Sequence, residues 1–226
     1  MKLPITSITP FTFQDYPEHT ACILWFSGCN MRCLYCHNPE LVNGELKRLP
    51  YEQVTSFLES RAGLLEGVVL SGGECTLSSA LPEFIRYIKS LEYKVKIDTN
   101  GTNPDLLERL LQEKLLDFVA MDFKAPEGKF QSITGLDGYE VFHSSLKILC
   151  KSNIDTEIRT TVHTNLINEE DVNNMINLLE NYNFQGTYVI QKFREGTNLG
   201  NITAPDAPFH HSRLNTPSFE VRLRNF

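Results

Sequence analysis

The sequence has no apolar run approaching the roughly 18 residues that a membrane-spanning helix needs. Its opening stretch, "MKLPITSITPFTFQDYPEH", carries one early lysine but no apolar core followed by a small-residue cleavage site. The expectation is a cytoplasmic protein with no membrane association. A lysine or arginine cluster is also missing: 28 acidic side chains outnumber 21 basic ones, for a formal net charge of −7. Binding to nucleic acid or to an anionic membrane rests on neutralising phosphates, so neither is expected as the main activity. There is no low-complexity tract and no repeat beyond an alternation of strands and helices. With 226 residues, 41% hydrophobic and 22% charged, the chain reads as one ordinary globular domain over 1–226.

That alternation predicts an α/β fold. Short apolar runs at 21–26, 67–74, 93–101, 117–125, 155–163 and 186–193 read as strands, and helical periods fall at 51–62, 79–91, 104–114, 139–152 and 169–182. This is the pattern of βα units and a parallel sheet. Six strands are fewer than a closed eight-stranded barrel needs, so a partial, open (βα)6 barrel is expected, with one side available to a large substrate. The core runs from about 20 to 193, and residues 194–226, rich in Asn, Pro and Thr, read as an extended tail covering it.

Six cysteines are present: Cys22, Cys29, Cys33, Cys36, Cys75 and Cys150. In a cytosolic chain of this size the clustered three suggest a metal site rather than disulfides, and the isolated three read as buried thiols. The cluster, "SGCNMRCLYCHNPE", admits three readings. Cys33 to His37 is a C-x-x-C-H haem-attachment string, but covalent haem of this kind needs an exported context and leaves Cys29 idle. Cys29, Cys33, Cys36 and His37 are a zinc donor set, yet zinc sites usually pair two knuckles from separate parts of the chain. The spacing C-x3-C-x2-C supplies three thiolates to a four-iron cluster and no fourth, which leaves one iron open to a small molecule.

Other polar and glycine-rich groups fall at or just beyond the ends of the expected strands: Gly72-Gly73-Glu74, Asp98-Thr99-Asn100-Gly101, Asp122-Phe123-Lys124 and Arg159. In parallel α/β folds ligands bind at that edge, where loops converge and helix N-termini point. Gly72-Gly73 lets backbone approach a ligand closely, and Glu74 can accept from an ammonium group. Asp98 and Asn100 suit ribose hydroxyls, although "DTNG" is also a common turn. Asp122 and Lys124 alternate on one strand and so share a face, where a plain ion pair is the competing reading. Arg159 has a structural alternative and His37 that of a solvated loop residue. His210-His211 lacks companion ligands and reads as solvated.

The motif C-x3-C-x2-C, with Tyr35 before its last cysteine, resembles the radical S-adenosylmethionine (SAM) superfamily. The extension "GCNMRCLYCHNPEL", followed by "VVLSGGE", "KIDTNG" and "AMDFK", is similar to the glycyl-radical-enzyme activases, above all those of anaerobic ribonucleoside-triphosphate reductase. The resemblance runs from about Ile8 to Phe193. It implies that Cys29, Cys33 and Cys36 hold a [4Fe-4S] cluster whose open iron is chelated by the amino and carboxylate groups of SAM. It further implies Gly72, Gly73 and Glu74 at the methionyl amine, Asp98 and Asn100 at the ribose, Asp122 and Lys124 near the methionyl end with Arg159 as a carboxylate partner, and Tyr35 and His37 around the adenine. One departure is Cys75, where family members often have proline after Gly-Gly-Glu.

The implied reaction is one-electron cleavage of SAM to methionine and a 5′-deoxyadenosyl radical, which takes a hydrogen from a glycine Cα of a partner, here expected to be anaerobic ribonucleotide reductase. A flavodoxin- or ferredoxin-type protein would donate the electron. Side-chain acid–base machinery is not required, consistent with the lack of a Ser/His/Asp or paired-carboxylate arrangement. Two further readings are a radical SAM enzyme with a small substrate, such as a 7-carboxy-7-deazaguanine synthase, and a non-enzymatic iron–sulfur or zinc module.

Overall fold

The computed structural model describes residues 2–226. In chain order the elements are β1 (Ile5–Thr12), β2 (Ala21–Phe26), α1 (Pro39–Asn43), α2 (Tyr51–Arg61), β3 (Gly67–Gly72), α3 (Leu81–Ser90), β4 (Lys94–Thr99), α4 (Pro104–Gln112), β5 (Phe118–Asp122), α5 (Glu127–Thr134), α6 (Tyr139–Lys151), β6 (Asp155–Val162), α7 (Glu169–Asn181), β7 (Thr187–Lys192) and β8 (Glu220–Arg224). The strands form one eight-stranded sheet in sequence order. β1 and β2 run antiparallel, whereas β2–β3, β3–β4, β6–β7 and β7–β8 run parallel. The fold is thus an open, mostly parallel α/β sheet, as expected. Among the described residues no helix is long and apolar enough to cross a membrane.

All six expected strands are present, as β2 to β7, and four elements are additional: β1, α1, α5 and β8. β1 buries only Ile5 and Thr12 of its eight residues, so it shows little periodicity, and its Pro10 is tolerated because the strand is an edge. β8, "EVRLR", contains no fully buried residue and is highly charged, the composition that keeps an edge from pairing with other chains. The segment after residue 193 is therefore not simply extended: it contains a turn of 3-10 helix at His211–Arg213 and ends in β8. α5 lies where a loop was expected, because it is short and buries only Phe130, Ile133 and Thr134 before Gly135 stops it at φ 69°.

Backbone contacts group the chain into two compact units, the first comprising the described residues up to Asn30, Glu40–Thr99 and Asp105–Val119, the second Met31–Pro39, Asn100–Pro104 and Ala120–Phe226. In the first, β2 and β3 are almost continuously buried, which is why they read as unbroken apolar runs rather than alternating ones. α3 buries Leu81, Phe84, Ile85 and Ile88, a stripe at i, i+3, i+4 and i+7. In the second unit, the buried Tyr188 hydroxyl donates to Thr160 Oγ1 at 2.8 Å.

α7 begins with a capping box: Asn168 Oδ1 accepts from the Asp171 N–H at 3.0 Å, and Asp171 Oδ2 accepts from the Asn168 N–H at 2.9 Å. Asp171 also binds Lys129 Nζ at 2.6 Å. Asn168→Ala is expected to cost about 1 kcal/mol of stability in urea denaturation. A wild-type midpoint would show that the box contributes nothing.

Candidate functional site

In the first unit the segments after β2 and β3 are bonded to each other through backbone. Gly73 N–H donates to Phe26 O and Glu74 N–H to Gly28 O, both at 2.8 Å. A Cβ on Gly73 would stand 2.1 Å from Gly28 O, and one on Gly72 would stand 2.3 Å from Phe26 O. Gly72 also has φ 121°. Both glycines are required, the second by approach alone and the first by approach and by backbone conformation.

Behind them Glu74 is only 2% exposed. Its Oε1 accepts from Thr76 N–H at 3.1 Å, Thr76 Oγ1 at 2.6 Å and Thr99 Oγ1 at 2.8 Å. Asp98 is held differently: Oδ2 accepts from Ser71 Oγ at 2.8 Å and Oδ1 pairs with the buried Lys96 at 2.5 Å. Cys75 is 1% exposed, with Sγ 3.6 Å from Asp98 O. Burial, reinforced by the charges of Glu74 and Asp98, pushes its thiol well up.

In the second unit the remainder of the cysteine loop is bonded to the end of α5, with Arg32 N–H donating to Thr134 O at 2.7 Å and Leu34 N–H to Ile133 O at 3.0 Å. Tyr35 is buried and its hydroxyl donates to Lys124 O at 3.0 Å. Burial pushes that phenol far up, outweighing the pull of Lys124, so it remains a donor. Lys124 Nζ lies 2.9 Å from Asp122 Oδ2, and Arg159 Nε lies 2.9 Å from Asp122 Oδ1. Asp122 and Lys124 do share a face, and Arg159 completes a triad with them from the middle of β6, rather than from a strand end. Burial disfavours every charge here, but Arg159 and Lys124 overcome it and hold the Asp122 carboxyl below its usual range; for Lys124, the Asp122 carboxylate overcomes burial and raises the ammonium.

His37 is exposed, stacks on Phe193 at 5.5 Å with 22° between the planes, and has Nδ1 3.1 Å from Thr197 O. Asn100 Oδ1 accepts from Thr102 N–H at 3.1 Å and Thr102 Oγ1 at 2.6 Å, so the chain turns after Thr99, whereas Asp98 and Thr99 still belong to β4. His210 and His211 are exposed. No set of three or more His, Cys, Asp or Glu among the described residues is gathered as a single-ion site would be. Sequence reasoning missed Thr76 and Thr99 as the holders of Glu74, Ser71 and Lys96 as those of Asp98, and the segment after Phe193. Ser71, Lys96 and Thr99 lay inside motifs already singled out; Thr76 and the later segment carried no signal of their own.

A family model described as the Radical SAM superfamily matches residues 23–179. This chain belongs to the radical SAM superfamily. A Methanocaldococcus jannaschii protein provisionally named a glycyl-radical enzyme activating enzyme is 34% identical over 199 residues, covering 85% of this chain and 81% of its own length. The pyruvate formate-lyase-activating enzyme of Clostridium pasteurianum is 30% identical over 172 residues, covering 70% of this chain and 69% of that one. Among solved structures, native anSMEcpe with bound AdoMet superposes with TM-score 0.59 at 20% identity, covering 75% of this chain and 50% of that one, a likeness of fold.

Radical SAM enzymes use a [4Fe-4S] cluster and SAM, and the residues present fit both groups. The three loop cysteines are in no disulfide, and the two glycines leave backbone room.

Because the Asp122 carboxyl lies below its ordinary range when folded, its contribution to stability is present above about pH 4 and is lost as pH falls through the folded value. Asp122→Asn is expected to lose on the order of 2 kcal/mol at neutral pH and to flatten the acid limb of the stability profile. Denaturation across pH reads both, and an acid limb unchanged from wild type would contradict the triad's role.

Proposed function

We propose that this radical SAM enzyme activates a glycyl-radical enzyme, and that its partner is anaerobic ribonucleoside-triphosphate reductase. Cys29, Cys33 and Cys36 are the cluster ligands in this reading. Gly72 and Gly73 keep backbone open to the methionyl group, and Glu74, fixed by Thr76 and Thr99, accepts from its ammonium. Lys124 and Arg159 attract its carboxylate, with Asp122 neutralising one of the two cations and orienting both. Asp98 and Asn100 serve the ribose, and Tyr35 and His37 lie beside the adenine. When bound, the cluster and SAM together supply one-electron cleavage of the sulfonium and hydrogen abstraction from a glycine Cα.

The observation that carries the activase reading is the 34% identity to the M. jannaschii relative across 81% of that protein. The choice of ribonucleotide reductase rests on the ordered motifs "GCNMRCLYCHNPEL", "VVLSGGE", "KIDTNG" and "AMDFK". A flavodoxin- or ferredoxin-type protein is the proposed electron donor.

Anoxic protein, reconstituted with iron and sulfide and reduced with dithionite, is mixed with SAM and with purified anaerobic ribonucleotide reductase or pyruvate formate-lyase. A glycyl radical signal in electron paramagnetic resonance is expected on the reductase and absent with Cys33→Ala. A signal on the lyase alone would overturn the partner, and a signal on neither would overturn the activase reading.

A further inference from the structure

The chain after β7 turns back along the cysteine loop. Leu199 N–H donates to Cys36 O at 3.0 Å and Gly200 N–H to Leu34 O at 2.8 Å. His37 Nδ1 reaches Thr197 O at 3.1 Å, and its ring rests on Phe193. The loop here has no regular secondary structure, so its backbone groups must find partners elsewhere. Both of its edges do so: the N–H groups of Arg32 and Leu34 bond to the end of α5, and the carbonyls of Leu34 and Cys36 bond to this returning segment.

Two residues make the return possible. Asn198, 5% exposed, closes the segment on itself: its Nδ2 donates to Gly196 O at 2.9 Å and Ile202 O at 2.8 Å, and its Oδ1 accepts from Ile202 N–H at 2.8 Å. At Gly200 a Cβ would stand 2.8 Å from Leu34 O and 2.9 Å from Leu34 Cα. The requirement for glycine there is close approach between backbones, since its φ is not in the left-handed region.

We infer that residues 196–202 form a strap that positions the cluster-binding loop, with Asn198 and Gly200 as positioning residues that fix the backbone at Leu34 and Cys36. This rests on the cluster reading of the three cysteines. The strap fixes the backbone that carries the Cys36 thiol, so that ligation does not require the loop to be ordered at that moment.

The test begins in cluster-free protein. Alkylation of each cysteine by iodoacetamide is followed by mass spectrometry, with Cys150 as the internal reference, in wild type, Asn198→Ala, Gly200→Ala and a control, Gly128→Ala, whose Cβ would meet nothing within 4 Å. Losing the strap's anchoring hydrogen bonds is expected to raise the Cys36 rate about fivefold in the two strap variants and not in the control. Asn198→Asp, which keeps the acceptor for Ile202 N–H, should fall between. After reconstitution, iron loss to a chelator should be faster in the same order. Wild-type Cys36 labelling and iron retention in Asn198→Ala, with a native circular dichroism spectrum, would overturn the inference, and Asn198→Ala carries the test if Gly200→Ala does not fold. Wild-type protein that takes up no iron would instead overturn the cluster reading, with the labelling comparison still deciding the strap.

Discussion

The carbonyl of Gly28 occupies the space in which a side chain at residue 73 would begin, and the chemistry of the first unit depends on that approach. With a Cβ at residue 73 placed 2.1 Å from that oxygen, the segment after β3 would have to move away from the start of the cysteine loop. Without it, Glu74 N–H reaches Gly28 O, and the buried Glu74 carboxylate is aligned behind the bond by Thr76 and Thr99. The same rule governs the rest of the loop. It has no helix or strand to satisfy it, so it is held by main-chain bonds, and glycines stand where those bonds need the two backbones closest: Gly73 at one end and Gly200 at the other.

Three carboxylates sit in three environments. Glu74 is buried among hydroxyl and amide donors, Asp98 is bound to buried Lys96 and to Ser71, and Asp122 lies between Lys124 and Arg159. Removing charges from water is costly, so each is accompanied by the donors that make its ionised form tolerable. An acidic chain overall, at −7, thus carries a locally cationic triad.

Much of this was legible in the sequence. Strands such as "ACILWF" and "GVVLSG" are buried on both faces and write that burial as unbroken apolar runs, and the thiol spacing in "CNMRCLYC" excluded a fourth cysteine ligand from the same loop. Elements that bury little left no such trace: β1, with two buried residues, β8, with none, and α5, with three, follow from their neighbours rather than from their own pattern. The strap is the extreme case. Its information lies in Asn198, which closes the segment on itself, and in Gly200, whose importance comes from the backbone of Leu34 far away in the chain, and nothing in "REGTNLGN" distinguishes them from residues of a solvated tail. Arg159 was legible as a residue but not as a partner, since its pairing with Asp122 depends on strand neighbours.

The central claim is that three thiolates from one loop hold a cluster that acts on SAM. Its most direct measurement is the 5′-deoxyadenosine released from SAM by the anoxic, reconstituted and reduced protein in the absence of any partner, compared with Cys29→Ala, Cys33→Ala and Cys36→Ala. Release by the wild type and none by any of the three variants is the predicted result. Iron-loaded wild type that leaves SAM intact, or a variant that cleaves it as the wild type does, would contradict the account.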